Sequence, residues 1–262
     1  MKQKIGLALW RLRGSWERRI AIAAEHGLSA LHIDMGGPGR DFPLEESNIL
    51  KITREANRFG IDVRVLAINR LNDVGLCGTS SADELSALRL IEIATRSASA
   101  AGIPYVMIPI FKRSVPVDAA DLSAIAVKLR SAAKRAKAVG VHVVCENTLP
   151  DHFLAEIEQQ VSPYKIGTVF DCLNPIIANF DPMRQWQARR DSAIRDIHVK
   201  DQDVRGHHVE LGTGIAGIEV TLSGLQKDMP SPYFILEGDY FTCSQDRIDA
   251  DINALNRILN RP

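Results

Sequence analysis

Short apolar runs alternate with amphipathic stretches along this chain. The runs 4–10, 31–35, 63–68, 105–111, 141–145, 165–171, 193–200 and 233–237 are mostly apolar rather than alternating, which is how strands buried on both faces of a parallel sheet read. In the first half, Gly27, Gly60, Gly102 and Gly140 each close a helical pattern and precede a strand pattern, the place where glycine takes a left-handed C′ conformation. Ser15 reads as one helix start. Ser81-Ala82-Asp83-Glu84 reads as a capping box, with Leu85, Leu88, Ile91 and Thr95 following at helical spacing. A last helical pattern covers 246–259. Eight βα units within 262 residues predict a closed (β/α)8 TIM barrel, one domain over residues 1–262. An open doubly wound sheet fits less well, because no glycine fingerprint follows the first run.

The long connections, 36–44, 69–80, 173–182 and 202–217, all follow strands, on the face where such a barrel keeps its chemistry. Basic and acidic residues balance at 32 each, so no long-range field favours nucleic acid or an anionic membrane. The apolar run at 5–10 is shorter than a signal h-region and ends on Arg11 and Arg13, and no stretch reads as a membrane span. Cys77, Cys145, Cys172 and Cys243 form no CxxC pair and read as reduced thiols of a cytoplasmic protein. The expected partner is a small molecule.

Four of the strand runs finish on a ligand-type side chain. Because side chains alternate along a strand, Glu146, Asp171, His198 and Glu237 are expected to converge at the barrel mouth from the last four strands. A single strand-end carboxylate is ordinarily a salt bridge or a helix cap; four in register form a divalent-metal site. Three carboxylates and one imidazole suit Mn²⁺, Mg²⁺ or Co²⁺, with Zn²⁺ as a further candidate. Lys200 shares the side of His198 and is expected either to bind a substrate oxygen or to pair with Asp171 or Asp201. Arg205 and Asn174 are substrate-binding candidates, read otherwise as a solvated loop arginine and a turn residue. Asp34 is expected to be a buried carboxylate paired with His32, and His142 to lie deep in the barrel. His207 and His208 read as exposed loop histidines. Residues 212–217 would either offer backbone N–H groups to a phosphate or close flexibly over the site.

The combination Cys145-Glu146-Asn147-Thr148, Phe170-Asp171-Cys172-Leu173-Asn174, Ile197-His198-Val199-Lys200-Asp201 and Leu236-Glu237-Gly238 resembles the xylose-isomerase-like barrels over nearly the whole chain. That grouping includes sugar phosphate isomerases and epimerases, ketose 3-epimerases, hydroxypyruvate isomerase, inosose dehydratase and endonuclease IV. The resemblance implies that Glu146, Asp171, His198 and Glu237 hold one divalent ion, with Glu146 and Glu237 flanking the substrate as catalytic groups. It implies an isomerase or epimerase of a small ketose, sugar acid or sugar phosphate. Catalysis would proceed by proton abstraction next to a carbonyl, through a metal-stabilised enediolate. Two alternatives stay open: a metal-dependent dehydratase of a keto-polyol, of the inosose or dehydroshikimate type, and a non-catalytic sugar-binding barrel. The chain departs from the grouping at Asn174, where many relatives have histidine, and at 212–217, where many have an acidic residue. Homo-oligomers are common in such families, but no feature of this sequence fixes the oligomeric state.

Overall fold

The computed structural model describes residues 3–38, 40, 44–241 and 246–260. Within them, eight strands follow in chain order: β1 (Lys4–Ala8), β2 (Ala30–Asp34), β3 (Asp62–Ala67), β4 (Tyr105–Ile110), β5 (His142–Asn147), β6 (Gly167–Asp171), β7 (Ala193–Val199) and β8 (Tyr233–Leu236). Hydrogen-bonded neighbours run in that order from β1 to β8, and β8 pairs in parallel with β1, so the sheet closes into a barrel. The helices among the described residues are α1 (Trp16–Glu25), α2 (Glu46–Arg58), α3 (Leu71–Val74), α4 (Ser81–Ala101), α5 (Ala119–Ala138), α6 (Asp151–Val161), α7 (Asn174–Ile177), α8 (Pro182–Arg189), α9 (Ile218–Asp228) and α10 (Asp246–Leu259). The closed (β/α)8 fold expected from the alternating pattern is therefore present.

The chain divides into two compact units. One comprises Met1–His32, Glu55–Asp62 and Val169–Pro262; the other comprises Ile33–Arg54 and Val63–Thr168. In the first, β1 lies between β2 and β8, with β7 on β8, and Leu7, Leu31, Ile197 and Phe234 are fully buried. In the second, β3, β4 and β5 pair side by side over Val65, Ile108 and Val144. Among the described residues, no helix is long and apolar enough to cross a membrane.

The four glycines do close their helices. Gly27, Gly60, Gly102 and Gly140 have φ of 65°, 70°, 71° and 73°, and the residue after each donates back across the last turn, as Ile61 N–H does to Ala56 and Val141 N–H to Ala136. A left-handed residue satisfies orphan carbonyls this way and turns the chain into the next strand. Ser15 caps α1 as expected, accepting from Arg18 N–H.

Several expectations need correction. The cap of α4 is Ser80, one residue earlier than the box expected at Ser81; its hydroxyl accepts from Asp83 N–H and donates to the Asp83 carboxylate. Leu85 and Leu88 are exposed, and the buried stripe runs through Ala87, Leu90, Ile91, Ala94 and Ala98, since alanine lets a helix pack closely. Strand β1 ends at Ala8, so Trp10, expected inside it, stands in a 3-10 turn, Leu9–Arg11. His142 opens β5 and is exposed, not deep in the barrel, because the strand begins at that residue. Cys77, Cys145 and Cys172 are free and buried; Cys243 and part of the 36–44 connection lie outside the described residues.

Candidate active site

Glu146 and Asp171 stand at the C-terminal ends of β5 and β6, His198 is the penultimate residue of β7, and Glu237 directly follows β8. Each offers one ligand atom, and the four atoms lie within 4.8 Å of one another. Local structure fixes two of the carboxylates. Asp171 Oδ1 accepts the N–H groups of Leu173 and Asn174 at 2.8 and 2.6 Å, a turn that starts α7 and leaves Oδ2 facing Lys200 Nζ at 3.0 Å. The same ammonium donates to Glu237 Oε2 at 2.7 Å, while the indole N–H of Trp10 donates to Oε1 at 3.0 Å. His198 Nδ1 lies 3.3 Å from Glu237 Oε2. Burial pushes the Glu237 carboxyl up, but Lys200 and His198 outweigh it and hold it well below the usual carboxylate range. Formally, three carboxylates against one ammonium leave two negative charges in a buried cluster. A divalent cation would neutralise them, and the oxygen-rich donor set is of the kind hard cations take. The residues present therefore fit such an ion.

Behind this cluster the polar order continues. His198 Nε2 is 2.9 Å from His32 Nδ1, and His32 Nε2 is 3.2 Å from Asp196 Oδ1, all with fully buried side chains. Beside it, Arg11 donates through Nε to Gly238 O at 2.9 Å and through Nη2 to His208 Nε2 at 3.2 Å.

Comparison with known proteins settles the family. Residues 20–258 match the xylose isomerase-like TIM barrel model. The chain belongs to that family. A 2-epi-5-epi-valiolone 7-phosphate 2-epimerase from an Actinoplanes species is 32% identical over 270 residues, covering 98% of this chain and 95% of the relative. A xylose isomerase domain protein from Planctomyces limnophilus superposes with a TM-score of 0.78 at 18% identity, covering 97% of this chain and 95% of the other. A 3-keto-D-glucoside 4-epimerase from E. coli does so with a TM-score of 0.73 at 17% identity, covering 99% and 100%. The chain is accordingly an enzyme of the isomerase and epimerase kind.

This xylose isomerase-like barrel departs from the sequence reading at several side chains. Of the two pairings expected for Lys200, the one with Asp171 is present, with Glu237 added. Asp201 is occupied differently: its carboxylate accepts from the N–H groups of Gln202, Gly212, Gly214 and Ala216 at 2.9 to 3.0 Å. The last three are backbone donors of the 212–217 loop that a phosphate would have used, so an internal anion already fills that cradle. Asp34 accepts from Asn69 N–H at 3.1 Å, while the ring nitrogens of His32 go to His198 and Asp196 instead. His207 is exposed as expected and pairs with Asp203. His208 is half-buried against Arg11; burial, then the Arg11 and Lys200 cations, push its pKa below the ordinary histidine value. Asn174 supplies a backbone N–H to Asp171. Arg205 is exposed on a turn held by Asp203. Trp10, Arg11 and the His32–Asp196 pair were not singled out for the site by sequence reasoning. Trp10 and Arg11 directly follow the first strand, on the chemical face of the barrel, and that position was the available signal.

Proposed function

We propose that the chain is a divalent-cation-dependent epimerase that inverts a carbon next to the carbonyl of a small sugar or sugar phosphate. The observation that carries this reading is the approach of four ligand atoms, from Glu146, Asp171, His198 and Glu237, to within 4.8 Å of one another. A bound Mn²⁺, Mg²⁺, Co²⁺ or Zn²⁺ ion would supply Lewis-acid polarisation of the substrate's carbonyl.

The remaining work falls to side chains. Inverting a carbon needs one group to take its proton and another to return one on the opposite face, and Glu146 and Glu237 are the two glutamates of the cluster. Both oxygens of Glu237 are hydrogen-bonded, to Trp10 and Lys200. Trp10 fixes Oε1, and a shift of the Lys200 ammonium onto a substrate oxygen frees Oε2 to exchange a proton. Lys200 then places positive charge where negative charge develops in the transition state. Asn174 and Arg205 are the further groups proposed to meet substrate hydroxyls or the phosphate. The buried thiols fit a reducing, cytoplasmic setting.

The name of the Actinoplanes relative makes 2-epi-5-epi-valiolone 7-phosphate the first substrate to try. Mn²⁺-loaded protein is incubated with it, and with a panel of ketose phosphates, in D₂O. Deuterium at the carbon beside the carbonyl together with the inverted epimer is the expected result. Loss of water would replace the reading with the dehydratase. Binding with neither reaction across the panel would replace it with a silent sugar-binding barrel.

A further inference from the structure

We infer that the substrate of this barrel is phosphorylated and that Arg11 holds its phosphate. The inference names the substrate class of the site proposed above and rests on that reading. In the 212–217 loop, the N–H groups of Gly212, Gly214 and Ala216 are taken by the Asp201 carboxylate, so an anionic substrate group has to be met elsewhere on the rim. Arg11 ends the 3-10 turn Leu9–Arg11 that directly follows β1, on the face where such barrels keep their chemistry. Its neighbour Trp10 donates to Glu237 Oε1, and its own Nε donates to the carbonyl of Gly238, the residue after Glu237. The guanidinium is thereby held beside one of the two proposed catalytic carboxylates.

Arg11 is set apart by its charge balance. Neither of its partners, Gly238 O and His208 Nε2, is a carboxylate, and among the described residues no ion pair reaches it. Asp239, on the same rim, accepts from Phe241 N–H. Lys200, the other cation of the mouth, is already shared by Asp171 and Glu237. Arginine stays charged throughout the physiological range, and a half-buried charge without a counter-ion costs free energy that an incoming anion restores. Three of its five N–H groups are left over, in the fork geometry that matches two oxygens of a phosphate. Two anchors already hold the side chain, so little ordering remains for the ligand to impose. Arg205, by contrast, is exposed, and its backbone N–H is what Asp203 holds.

The test is calorimetric titration, in the presence of Mn²⁺, with 2-epi-5-epi-valiolone 7-phosphate, fructose 6-phosphate and the unphosphorylated form of each. Wild type should prefer the phosphorylated members. Arg11→Gln should weaken their binding about 10- to 100-fold and leave the unphosphorylated forms unaffected, while Arg205→Gln changes neither. Arg11→Lys keeps the charge without the fork and should fall between wild type and Arg11→Gln; it carries the comparison should Arg11→Gln fail to fold. A wild type with no preference for either phosphate overturns the inference, as does a loss that follows Arg205 instead. An equal loss for phosphorylated and unphosphorylated ligands also overturns it, because it would make Arg11 a strut between Gly238 and His208. Failure of the epimerase reading shows separately, as a wild type that binds the phosphate through Arg11 yet exchanges no carbon-bound proton in D₂O.

Discussion

Asp34 shows how one buried group sets a pH dependence. Burial raises its carboxyl to about 6, against the Arg40 cation and the N–H groups of Asn69, Met35 and Gly36, which pull it down. A folded-state value above the unfolded one means that ionising Asp34 opposes folding. The penalty is full above about pH 6, fades as pH falls from there towards the ordinary carboxylate value, and is gone below it. Asp34→Asn should therefore stabilise the protein by about 1–3 kcal/mol at pH 8 and change little near pH 3.5; urea unfolding at the two pH values checks it, and an equal shift at both would count against the assignment. Lys200 carries a second expectation at this scale. If its ammonium serves charge stabilisation rather than ligation, as proposed, Lys200→Met should lower kcat about 10²- to 10³-fold without weakening Mn²⁺ binding. A mutant that keeps wild-type turnover would remove Lys200 from the chemistry. Its chemical face was legible from strand alternation, but the choice of Asp171 and Glu237 over Asp201 was not. Asp201 had four backbone donors available that no periodicity announces.

Among the elements, the loop after β7 is built around that same carboxylate. Gly214 sits so close that an added Cβ would run into Gln202 O and the Asp201 carboxylate, so the loop packs on the aspartate too tightly for any side chain there. Asp201→Ala would strip four N–H groups of their acceptor. A cost of about 2–4 kcal/mol is expected, with faster amide exchange at Gly212, Gly214 and Ala216; unchanged exchange at those amides would show that the loop holds itself. Helix α4 offers a cleaner contrast. Ser80→Ala should cost about 1 kcal/mol and Ser81→Ala much less, since the hydroxyl of Ser80 accepts from Asp83 N–H; thermal melts of the two variants decide between the adjacent serines.

At the scale of the whole molecule, a ligand that binds only the folded chain stabilises it by mass action. With Mn²⁺ at 100 times its dissociation constant the gain is about 2.7 kcal/mol, a rise in Tm of roughly 5–10 °C for a chain of this size. EDTA should reverse it, and His198→Ala should abolish it; an equal Mn²⁺ effect in that variant would place the ion elsewhere. The amino-acid order alone determined the repeating βα units, their glycine stops and the four ligand-type side chains at strand ends, because each of these is a local or periodic signal. Burial on both faces writes itself as an apolar run, helix closure as a glycine, and strand alternation as a side. Tertiary structure alone decided that Trp10 meets Glu237 across 227 residues of chain, that His32 stands behind His198, and that Asp201 occupies the loop's donors. Those pairings depend on which side chains the closed sheet brings within hydrogen-bond reach, a matter of distance in space to which separation along the chain is no guide.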